Sequence, residues 1–68
     1  MSPKYLVIDP LVRKTFQANS LKSAIKIAKK RRKSEIYKYS PKINAFLRIR
    51  EYAHGKLIWK NPFGVRGD

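Results

Sequence analysis

The sequence predicts a small two-layer α+β domain, order ββαβββ, with one helix packed on an antiparallel sheet. Three observations carry this. Only Ser20 to Lys33 has a sustained helical period, short runs with strand character flank it on both sides, and 68 residues make at most one domain, of marginal size.

Tyr5-Leu6-Val7-Ile8 is a short apolar run stopped by the turn signal Asp9-Pro10, which marks a first strand. Lys14 to Ala18 then alternates, with Phe16 and Ala18 on one side and Thr15 and Gln17 on the other. A hairpin across Asp9 to Arg13 joins the two. In the helix, Leu21, Ala24, Ile25 and Ala28 recur at three- and four-residue intervals and form one apolar face. Lys22, Lys26, Lys29 and Lys33 gather opposite, with Lys30 at the margin. Ser20 suits the N-cap, although no glutamate follows three residues later to complete a capping box. Cations crowd the last turn, where they complement the negative end of the helix dipole. Arg32 projects onto the side of Leu21 and Ile25, so the buried part should end near Lys30 and the arginines begin a basic exit.

Glu35 to Ser40 reads as a third strand ended by Pro41. Its faces are Tyr37 and Tyr39 against Ile36, Lys38 and Ser40. Burying the second set would press Lys38 into the core, so the tyrosines are expected inward. The alternative turns both tyrosines outward as base-stacking platforms. Ile43 to Tyr52 and Lys56 to Lys60 form a closing hairpin. A two-residue His54-Gly55 turn would set Arg50 opposite Trp59. A three-residue loop with Gly55 left-handed sets Ile49 opposite Trp59 and Glu51 opposite Leu57. The second register separates apolar from charged residues better and is adopted. It puts Leu47, Ile49, Leu57 and Trp59 on the core face. Phe46, Arg48, Arg50, Tyr52, Lys56, Ile58 and Lys60 then share the other. The domain is expected to span 1–60, with 61–68 an irregular tail whose closing Arg66-Gly67-Asp68 is read as coincidence.

Charge is the outlier of the composition. Seventeen Lys and Arg against four acids give +13, with a pI near 10.6. Such an excess opposes folding by self-repulsion, and a polyanionic partner explains it better than solubility alone. A 43% hydrophobic fraction argues against disorder, and the absence of cysteine removes disulfides and thiolate zinc sites. No apolar run approaches the roughly 20 residues of a membrane span. The N-terminus also lacks the apolar core of a secretion signal, so a cytoplasmic place, or one on nucleoid or ribosome, is expected.

Catalysis finds little support. Asp9, Glu35, Glu51 and Asp68 are scattered along the chain, and metal-dependent nucleases need clustered carboxylates. His54 lies in an expected turn beside Gly55, where an exposed loop role explains it. The reading is therefore a non-enzyme with no metal and no cofactor. Binding has better candidates in two groups. One is the helix exit, Lys29, Lys30, Arg31, Arg32 and Lys33. The other is the outer sheet face with Arg48, Arg50, Tyr52, Lys56 and Lys60, where guanidinium groups can bridge phosphates and rings can stack on bases. The helix lysines are a plainer phosphate-contacting surface without sequence information.

Nucleic acid, DNA or RNA, is the partner expected first, bound through its backbone with limited specificity. An acidic protein, as bound by compact phage or mobile-element inhibitors, comes second. A ribonucleoprotein such as the ribosome comes third. Either a monomer or a homodimer fits. The chain has no aromatic-glycine signature of an RNA-recognition motif, no GXXG loop, and not the αβββα order of a double-stranded-RNA-binding domain.

Overall fold

The computed structural model describes residues 3–62. Its elements are β1 (Tyr5–Asp9), β2 (Lys14–Ala18), α1 (Leu21–Lys29), β3 (Lys33–Ser40), β4 (Ala45–Ala53) and β5 (Lys56–Lys60). The strands form one sheet in the order β2-β1-β3-β4-β5, and every neighbouring pair is antiparallel. The expected architecture is therefore the observed one: one helix on a five-stranded sheet, in the order ββαβββ. The irregular tail expected over 61–68 lies, from residue 63 onward, outside the described residues.

The helix begins where the sequence places it. Ser20 is extended, and its Oγ accepts from the Ser23 amide at 3.1 Å. Ala24 and Ala28 are fully buried beneath α1, with Leu21, Ile25 and Ile27 half-buried around them. Alanines at the contact let the helix lie close to the strands. The Ala28 carbonyl accepts from the Arg31 amide and from the buried Ser34 hydroxyl, each at 3.1 Å, so a side chain at the start of β3 also caps the helix.

The core is Tyr5 and Val7 of β1, Ala18 of β2, Ile36 of β3, and Ile49 and Tyr52 of β4, closed by the two helix alanines. Burying Ile36 and Ile49 completely contributes about 1.5–3 kcal/mol each. β1 also carries Leu6 and Ile8, half-buried on the opposite face, as suits a strand with neighbours on both sides.

Two expectations about faces are overturned. Val7 pairs with Ile36 and Leu6 with Tyr37, so Ile36 faces the helix, and Tyr37 and Tyr39 point to the outer face. Lys38 does not oppose this arrangement, because it stands level with Tyr5 and Ala18, where the chain is only entering the helix. There it stays half-buried, with a long stem suited to the margin of a core.

The closing hairpin also differs. Its turn is the two-residue His54-Gly55, with φ of 52° and 80°, and Ala53 pairs with Lys56. Positive φ at both central residues is the turn whose twist matches the strands. Each strand then takes in one extra residue. Ile49 lies between Arg48, opposite Tyr37, and Arg50, opposite Ile36; Ile58 lies between Leu57, opposite Tyr52, and Trp59, opposite Glu51. Such bulges break strict alternation and interchange faces partway along a strand. Tyr52 is thereby only 4% exposed and belongs to the core, while Trp59, Leu47 and Leu57 do not.

Gly55 is needed for its backbone. A Cβ there would meet the Lys29 carbonyl oxygen at an unstrained 3.5 Å, so the φ of 80° alone sets the cost. Gly55→Val is expected to lower stability by roughly 1 kcal/mol or more, and Gly55→Asn by less. Urea titration of the three proteins checks the order.

Candidate nucleic-acid interface

The acids determine where positive charge is left uncompensated. Asp9 is almost enclosed, with its side chain 3% exposed, and accepts from Arg31 Nε at 2.6 Å. Its other oxygen accepts from the Leu11 amide at 3.0 Å and that of Val12 at 3.4 Å, which folds the β1–β2 loop back on itself. The Arg31 hydrogen bond, with these amides and the arginine charge, outweighs burial and holds the Asp9 carboxyl below its ordinary range. Glu35 and Glu51 stand opposite each other on β3 and β4, on the outer face. Arg48 reaches both, at 3.3 and 3.7 Å, and Lys33 lies 3.9 Å from Glu51. The Tyr37 hydroxyl donates to Glu35 at 3.2 Å; burial, and then the Glu35 charge, push its pKa up.

The carboxylates are scattered along the sequence, but the β3–β4 register brings two of them together. Arg48 and Lys33 neutralise the pair. Among the described residues, no three of His, Cys, Asp or Glu gather as a metal site would require, and no helix is long and apolar enough to cross a membrane.

The residues expected at a binding surface divide accordingly. Lys29 ends α1, Lys30 caps it and Arg32 follows, all three exposed. Arg31 beside them is committed to Asp9 and also lies over the Phe16 ring, 5.2 Å from its centroid. Lys33 opens β3 on the outer face. The second group does not form one face. Arg48 is on the outer face, held by the two glutamates and lying 4.7 Å over the Trp59 ring. Arg50 sits opposite Ile36 on the helix side, half-buried, with Nη1 enclosed and without a hydrogen-bond partner. Tyr52 is in the core. Lys56 and Lys60 are exposed near opposite ends of β5, a strand the helix does not cover.

What the fold assembles instead is a continuous basic surface on the helix layer. An open groove of about 350 Å³ runs between α1 and β2, lined by Phe16, Ser23, Lys26, Ile27, Lys30 and Arg31. A neighbouring hollow shares Lys30 and Arg31 and continues past Arg32 to Leu11 and Val12 in the β1–β2 loop, with the nearly enclosed Asp9 in its wall. Lys22 and Lys29 extend the cationic field over the crest of the helix. The helical period foretells the lysines. Phe16 as an apolar floor escapes the sequence reading, because only the fold sets β2 beside the exposed flank of α1.

Comparison with known proteins finds no matching family model, no matching curated protein and no matching solved structure.

The Asp9–Arg31 contact fixes the loop against the helix exit, and its pH dependence has a definite sign. A carboxyl whose pKa is lowered in the folded state adds stability above its unfolded pKa, and loses it as pH falls through the folded value. The stability gap between wild type and Asp9→Asn should thus be constant from about pH 7 to 5 and close below about pH 4. Urea midpoints measured across that range check it.

Proposed function

We propose that this protein binds nucleic acid through its phosphate backbone, using the surface of α1 and its exit. Lys22, Lys26, Lys29, Lys30 and Arg32 make the contacts. The observation that carries this reading is the placement of the acids. Asp9 is sealed against Arg31, Glu35 and Glu51 are on the far side of the sheet, and the exposed charges of α1 and its exit are all positive. Lysine on a helix crest meets phosphates as a hydrated point charge and does not read bases, so specificity should be low.

The test is the salt dependence of affinity for a random duplex. With about six phosphates neutralised, log K should fall against log salt with a slope near −5, and binding at physiological salt should be micromolar or weaker. No binding to DNA or RNA at low salt would reject the reading.

One observation favours a second reading. The groove has an apolar floor, Phe16 and Ile27, between Lys26 and Lys30, which suits an acidic amphipathic segment of a protein partner. Pull-down of one stoichiometric protein that survives nuclease treatment would favour it over nucleic acid.

A further inference from the structure

The outer sheet face differs from the helix layer in its balance of charge, and it carries a group of half-buried apolar and aromatic side chains. Alternation and register place Leu6, Ile8, Tyr37, Tyr39, Phe46 and Trp59 on it. No element covers this face among the described residues, since the single helix lies on the other. Its charges nearly cancel: Lys33, Arg48 and Lys56 against Glu35 and Glu51. In a chain of net charge +13 this is where compensation is concentrated.

We infer that this face joins two copies of the chain, sheet to sheet, in a symmetric dimer. Two strongly positive molecules can approach only where their charge is locally balanced, and a twofold contact requires a patch compatible with itself. The balanced, aromatic outer face meets both conditions; the helix face meets neither. The size also fits. Strands of 5, 5, 8, 9 and 5 residues, at about 3.3 Å per residue and about 4.8 Å between strands, cover roughly 500 Å², enough for one side of a small, weak interface. The glutamates enter such a contact already paired with Arg48 and Lys33, and Lys56, on the edge strand β5, can keep its charge in water at the rim. The resulting four layers, helix-sheet-sheet-helix, hold the two basic helix surfaces on opposite outsides of the dimer.

The rival occupant is a single strand stacking its bases on the rings, and the rings are poorly available for it. The Trp59 face is covered by Arg48, and Tyr39 and Phe46 are packed edge to face at 5.5 Å. Tyr37 sits beside the Glu35 carboxylate, which repels phosphate.

Analytical ultracentrifugation of nuclease-treated protein tests the inference independently of nucleic-acid binding. Wild type should be dimeric at about 100 μM. The dimer should tighten as salt rises, because salt screens the repulsion between copies; nucleic-acid binding should do the reverse. Tyr37→Lys should weaken the dimer at least about tenfold. Leu11→Lys, equal in charge change but in the β1–β2 loop, should not. Phe46→Lys, nearer the rim of the same face, serves if Tyr37→Lys does not fold. A wild type that stays monomeric at about 1 mM would overturn the inference. So would a dimer that persists in both outer-face variants. The same holds if Tyr37→Lys weakens single-strand binding while leaving the association state of the free protein unchanged.

Discussion

Tyr52→Ala should lower the stability of the domain by about 3 kcal/mol, the cost of removing a buried ring and leaving a cavity. A chain of this length has roughly 3–10 kcal/mol in all, so the loss removes between about a third and the whole of it. The ring packs in the core with Ile36 and Ile49, and pairs across the sheet with Ser34, the residue that caps the helix. Its loss therefore loosens β4 and the helix end together. Were Tyr52 an exposed binding residue, its truncation would change stability by no more than about 0.5 kcal/mol and weaken binding in a folded protein. Urea unfolding followed by circular dichroism separates the two outcomes.

Lys26→Glu/Lys30→Glu should weaken duplex binding roughly 30-fold or more and make the salt slope shallower by about 2, as expected when two phosphate contacts are lost. Both residues line the groove beside Phe16 and are exposed, so the fold should tolerate the change, apart from about 0.5 kcal/mol from a carboxylate at the helix C-terminus. Lys42→Glu/Lys60→Glu changes the net charge equally but lies in the β3–β4 turn and at the end of β5 remote from the helix exit. That pair should reduce affinity only a few-fold, through the long-range field. Isothermal titration of the same duplex at one salt concentration, with both variants shown to be folded, makes the comparison. Equal losses would mean that total charge, and not the helix surface, sets affinity.

What was legible in the sequence follows from the reach of each signal. Helix period, Ser20 as cap, the Asp9-Pro10 turn and the span of β2 are local, and each is found where the local pattern puts it. The faces of β3 and of the closing hairpin are not local. Tyr37 and Ile36 compete for the core, and the helix decides between them by lying over Ser34 and Ile36. The extra residues Ile49 and Ile58 are invisible to a rule of alternation, because bulges depend on how two strands twist together. From that point the expected pairing of Arg48 with Arg50 and Tyr52 on one surface dissolved. The lysines of α1, a plain solvated field in the sequence, are the stronger candidate in the fold, where Asp9 is neutralised by Arg31 and the glutamates lie on the other face.

Amide chemical-shift mapping of the folded protein with a short random duplex at low salt addresses the central claim most directly. The account predicts that the largest perturbations fall on Lys22 to Arg32 and on Phe16, while Glu35, Tyr37, Phe46 and Trp59 stay nearly unmoved. Perturbations centred on those outer-face residues, with α1 silent, would contradict it.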